Sequence, residues 1–139
     1  MCGEIADTES LAIFVLDSKK IKSDGVTWRA FMPSEEDGER SVFRVDELSN
    51  TDIAALGQRE VGDTQMPQPR QIRGWARFTA EEVRKRPPLV LVPDEPPPRH
   101  AVIRGWPPAF EEKQRLAMDL AEVAACHHWT ALRPVAPAS

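Results

Sequence analysis

Arg99 and His100 are adjacent side chains of types that handle anions and protons, and they follow the run Pro96-Pro97-Pro98 directly. An imidazole beside a guanidinium can act as a general acid/base next to an anion clamp, as phosphoryl or ADP-ribosyl transfer requires. The motif brings no Ser, Cys or Glu at a recognisable spacing. Asp94 and Glu95 precede the prolines, and Asp46 or Glu47 can face the imidazole only if the chain folds back over it. The simpler reading is a surface corner, with His100 bonded to a carbonyl and Arg99 paired with an acid.

A second pattern joins cations to aromatics. Ile72-Arg73-Gly74-Trp75 recurs as Ile103-Arg104-Gly105-Trp106, and each copy is followed by a Phe and a Glu-Glu pair. Interleaved basic and aromatic residues can stack bases and neutralise phosphates. Trp and Arg equally dominate the anchors of protein interfaces. Packing of both indoles under the helices that follow is the expectation, ahead of a protein interface and well ahead of single-stranded nucleic acid.

Cys126-His127-His128 are metal-ligating types, but neighbours on a helix diverge by about 100° and do not converge on one ion. Neither a metal nor a cofactor is expected. Met1-Cys2-Gly3 resembles the start of class II glutamine amidotransferases, whose N-terminal cysteine is the nucleophile once methionine is removed. The resemblance covers Cys2 and Gly3 alone, and 139 residues are too few for that family's large four-layered domain, so it is carried no further. No Walker loop, dinucleotide glycine fingerprint, HExxH or GxSxG occurs.

The elements that must position these groups fit one domain. With 41% apolar and 29% charged residues a core is within reach. Thirteen prolines, mostly after Met66, argue against a helical bundle and for shaped loops. The longest apolar run, Leu11 to Leu16, is far short of the roughly 20 residues of a membrane helix, and acidic residues precede it, unlike a secretory signal. Two cysteines make no disulfide framework, so the expected compartment is a reducing cytoplasm.

The net charge of −4 hides an asymmetry. Residues 1–66 carry 7 Lys+Arg against 14 Asp+Glu, and residues 67–139 carry 11 against 8. Between Arg70 and Arg104 there are eight basic and four acidic residues, a density too low for a dedicated nucleic-acid binder.

Along the chain, residues 1–9 are expected to fray. Leu11 to Leu16 predicts a strand buried on both faces, and Ser23-Asp24-Gly25 a turn. Val26 to Met32 alternates as a neighbouring antiparallel strand should. Pro33 to Arg40 is an acidic loop, and Ser41 to Asp46 another strand. A short helix over Leu48–Leu56 has Ser49 as its cap, Asp52 in the capping-box position and Gly57 as its stop. Residues 58–70 read as loop. Thr79 should cap a helix with Glu82 three residues on. The runs Leu89–Val92 and Ala101–Ile103 read as strands held apart by a polyproline-like spacer. A helix from about Phe110 to Cys126 shows an apolar stripe at Leu116, Leu120, Val123 and His127.

The expected fold is therefore α+β, a small mixed or antiparallel sheet with a C-terminal amphipathic helix, one or two short helices and Pro-rich connections. It is a single domain over 1–132, with a disordered Pro/Ala-rich tail over 133–139. The expected function is that of a small, non-catalytic cytoplasmic adaptor or accessory subunit of a larger bacterial protein assembly. Its binding face would be built from Arg73, Trp75, Arg99, His100, Arg104 and Trp106, and its partner would be another protein. The alternative is a small enzyme acting on a phosphate- or nucleotide-bearing substrate, with His100 as acid/base and Arg99 on the anion. A single-stranded nucleic-acid binder is the weakest reading, and no membrane partner is expected.

Overall fold

The computed structural model describes residues 4–16, 21–22 and 25–128. Expectations for Ser23-Asp24 and for the 133–139 tail lie outside the described residues. The fold is α+β, and the sheet is antiparallel throughout.

Its centre is β1 (Ser10–Val15), the apolar run, which is buried on both faces. β1 lies between β4 (Arg40–Arg44) and β5 (Gly74–Thr79). β7 (His100–Arg104) and β6 (Val90–Pro93) extend the sheet beyond β4, and β8 (Ala125–His128) extends it beyond β5. Between β1 and β4, β2 (Ile21–Lys22) and β3 (Gly25–Val26) form a separate two-residue-deep hairpin.

Strand alternation divides the core in two. Leu11, Ile13, Val42, Phe78 and Ile103 face α2 (Ala80–Arg84) and α3 (Phe110–Val123), where Val83, Leu116 and Leu120 meet them. Ala12, Phe14, Phe43, Val45 and Trp75 face the other way, against Ile53 and Leu56 of α1 (Asn50–Gly57). Among the described residues, no helix is long and apolar enough to cross a membrane.

Several local expectations are corrected by long-range pairing. Val26 to Met32 is not a strand beside β1, because β4 and β5 occupy both of its edges; Trp28–Phe31 winds instead into a 3-10 helix with Ala30 and Phe31 buried. α1 is capped as expected, with Ser49 Oγ accepting from Asp52 N at 3.1 Å. Gly57 does not stop it, since the chain runs on through a π-helical turn at Gln58–Gly62.

Thr79 is the N-cap of α2 by position, but its hydroxyl makes no capping bond. The carbonyls of Glu9 and Asp7 accept from Ala80 N and Glu81 N, both at 3.0 Å. The segment before β1 is consequently not frayed over 4–9: Ile5 is buried, Asp7 pairs with Arg84 at 2.6 Å, and Glu9 pairs with Arg44. α3 ends at Val123, three residues short of the expectation. Leu116 and Leu120 are buried, but Val123 is exposed, and the chain turns extended at Ala124 to pair β8 with the open edge of β5. The prolines after Glu95 do not hold two strands apart; they close a hairpin in which Asp94 N donates to His100 O at 2.9 Å and His100 N donates to Pro97 O at 3.1 Å.

Candidate functional site

The Arg99–His100 corner is built as a brace. Arg99 sits in the left-handed region, φ 70°, a conformation a non-glycine residue holds only when its surroundings fix it. Its amide donates to Glu95 Oε2 at 2.9 Å and its carbonyl accepts from Arg44 N at 2.8 Å. The guanidinium Nη1 donates to the carbonyls of Arg44 and Asp46, at 3.2 and 3.5 Å, across the end of β4. The group that would clamp an anion is occupied by backbone carbonyls.

His100 is engaged as well. Its side chain is 12% exposed; Nδ1 lies 2.9 Å from Asp94 O and 3.3 Å from Asp94 Oδ2, and the ring packs on Phe43 with centroids 5.2 Å apart. Asp46 does not approach as a second acid; its carboxylate accepts from Ser10 N at 2.8 Å. Thus the corner fixes the β6–β7 hairpin to β4.

The two Ile-Arg-Gly-Trp copies are used differently. In the first, Gly74 begins a strand and Trp75 is fully buried on the α1 side of the sheet, edge-on to Phe14 at 6.2 Å. In the second, Ile103 and Arg104 end a strand, Gly105 turns the chain with φ 85°, and Trp106 packs half-buried on the α3 side. A side chain at position 105 would meet the Pro88 carbonyl at 2.3 Å, so the corner requires glycine on two counts. Trp106 Nε1 donates to Ile103 O at 3.0 Å, and Arg104 pairs with Glu39. The indoles lie on opposite faces of the sheet. Arg73 is exposed at the start of β5, separated from Arg104 by β1 and β4, or about 14 Å at ordinary strand spacing. The six residues therefore do not form one face.

Four residues beyond Trp106 the chain reaches Phe110, and a cleft opens there that sequence reasoning missed. It holds about 510 Å³ and is lined by Trp28, Arg29, Met32, Pro33, Ser34, Glu35, Phe110 and Lys113. One wall is the 3-10 helix and the loop after it, and the other is the first turn of α3. Phe110 and Lys113 are three apart and share a helix face. Phe110 meets Trp28 edge-on at 6.2 Å and is 55% exposed. The Arg29 guanidinium lies 4.7 Å above the Trp28 ring.

Among the described residues, neither Arg29 nor Lys113 has a carboxylate within ion-pairing distance, and Glu35 has no cation. The loop from Pro33 is closed by Ser34 N donating to Glu39 O at 2.9 Å, and Arg40 follows it at the start of β4, opposite Ile103 of β7. Burial pushes the Arg40 guanidinium down to about 10, and its Nε has no hydrogen-bond acceptor among the described residues. Trp28-Arg29 lies in the segment whose alternation predicts a strand, and nothing local pairs it with Phe110 and Lys113.

Other concavities offer less. A cleft of about 600 Å³ beside α1 is lined by Ala54, Ala55, Gln58, Pro69 and Arg70. Two of its polar side chains are engaged in local structure: Gln58 spans Asp63, the Arg70 carbonyl and Ile72 N, and Arg70 donates to Leu16 O. Among the described residues no cluster of three or more His, Cys, Asp or Glu side chains is placed to hold a metal ion. Cys126 lies on β8 and not on a helix. No protein-family model matches the chain, and the comparisons with curated proteins and with solved structures found no match.

Proposed function

We propose that this chain is a non-catalytic binding module, an adaptor or accessory subunit that joins a larger protein assembly in the bacterial cytoplasm. The observation that carries the reading is the half-open Trp28–Phe110 pair, with Arg29 stacked on one ring. Aromatic and Arg side chains grouped in a cleft are the usual anchors of protein interfaces. Trp106 packs on the same α3 side of the sheet as that cleft without lining it, and Arg104, next to Ile103 in β7, points to the opposite face and pairs with Glu39. Arg99, His100 and Trp75 serve this face indirectly, by holding the sheet, and Arg73 lies apart from it. The free thiol of Cys126 suits a reducing compartment.

The enzymatic alternative needs a concave site at His100 as well as an acid beside it; Asp94 Oδ2 lies 3.3 Å from its Nδ1, but neither cleft described above is lined by His100, and the Asp46 carboxylate is bonded to Ser10 N. The test is co-purification of the tagged chain from its source cells beside Phe110→Ser and Trp106→Ala. One stoichiometric protein partner is expected, with affinity reduced by about 2 kcal/mol in Phe110→Ser. Retention of the partner by a folded Phe110→Ser protein contradicts the reading.

A further inference from the structure

Resting on the reading of the Trp28 cleft as an interface, we infer that it takes a partner segment that is acidic and carries one apolar anchor. Charge selects the occupant. Trp28, Met32 and Phe110 offer an apolar floor, so an occupant gains most by inserting a Phe or Leu side chain between the 3-10 helix and α3. Any occupant that covers this floor also takes Arg29 and Lys113 out of water, one cation on each wall.

Neither cation has a carboxylate partner among the described residues, and a cation buried without one is strongly unfavourable. The occupant must bring anions to Arg29 and to Lys113 in particular, placed clear of Glu35, Glu36 and Asp37, which are exposed on the loop after the 3-10 helix. Asp or Glu residues within two positions on either side of the anchor do this in an extended segment, whose alternate side chains reach opposite walls. Glu35 on the rim asks for a donor, which the backbone N–H groups of the same segment supply. A basic segment would satisfy Glu35 but press its own cations against Arg29 and Lys113.

The test titrates the full-length, isotope-labelled chain with three synthetic eight-residue peptides, followed by amide and indole NMR shifts. The first has a central Phe flanked by Asp and Glu, the second replaces every acid with Lys, and the third replaces the Phe with Ala. Saturable shifts confined to Trp28, Arg29, Phe110 and Lys113 are expected with the first peptide alone. Arg29→Gln/Lys113→Gln should weaken that binding about tenfold or more while leaving the spectrum folded. Saturation by the Lys peptide, or no shift from the acidic one, overturns the inference. The outcome is separable from the interface reading. If the natural partner is lost with Phe110→Ser but kept at full affinity by Arg29→Gln/Lys113→Gln, the cleft is an interface and the acidic assignment is wrong.

Discussion

Gly57 in α1 lies directly against the ring of Phe14 in β1: a Cβ at position 57 would stand 2.3 Å from Phe14 Cδ1 and 2.4 Å from Cε1. The ring has no room to retreat, because Phe43 and Trp75 pack around it with centroids 5.8 and 6.2 Å away. Gly57 is helical, with φ −62°, so its role is close approach and not a special backbone angle.

Gly57→Ala should therefore destabilise the fold. The substitution gains about 1 kcal/mol of helix propensity, while overpacking a filled core costs about 1–3 kcal/mol. A lower urea midpoint is expected, with recovery in Phe14→Leu/Gly57→Ala relative to Phe14→Leu alone. A Gly57→Ala protein as stable as the parent would mean that α1 can slide on the sheet.

The two repeated tryptophans should separate by experiment. Trp75→Ala removes a fully buried indole and should cost about 3–5 kcal/mol, a large share of the roughly 5–15 kcal/mol of a typical domain. Trp106→Ala, at a half-buried corner, should lose less than half as much by the same denaturation assay. Equal losses would place Trp106 in the core and remove it from the binding face.

The contrast marks what local sequence can carry. The apolar run of β1 and the Ser49 cap of α1 are decided within a few residues, and both were legible. So was the amphipathic body of α3, through Leu116 and Leu120. Its end was not: Ala121 to Ala125 is good helix sequence, and the open edge of β5 extracts Ala125–His128 as a strand from a distance of about fifty residues in the chain. Val26 to Met32 alternates like a strand, but both edges of β1 were already taken. Arg99 and His100 stand out by their chemistry; the bond from His100 to the Asp94 carbonyl closes within the hairpin, as the simpler reading of the corner expects, whereas the bond from Arg99 to the Arg44 carbonyl crosses 55 positions and has no local signature. The Trp28 cleft joins residues some eighty positions apart, so no spacing rule could point to it.

Burial pushes the Cys126 thiol up, so it stays protonated at pH values where an exposed cysteine ionises. In a Cys2→Ser background, iodoacetamide should modify native Cys126 more slowly than the unfolded chain, and the rise of rate with pH should be displaced upward. The linkage has a definite sign. The folded state holds this proton more tightly than the unfolded state, so the contribution is full below about pH 8.5, the ordinary thiol value, and is lost as pH rises through the native one. A native alkylation profile that overlays the unfolded one would show that β8 does not shield the thiol.

The central claim is that the Trp28–Phe110 cleft is where another protein binds, and a photo-crosslinker tests it most directly. p-Benzoylphenylalanine is placed at position 110 in one strain and, as a control, at position 66, where Met66 is 86% exposed on a distant loop. The account predicts one crosslinked protein of defined mass from position 110, absent from position 66 and diminished by Trp28→Ala. Crosslinking from position 66 but not from 110, or from neither, would contradict it.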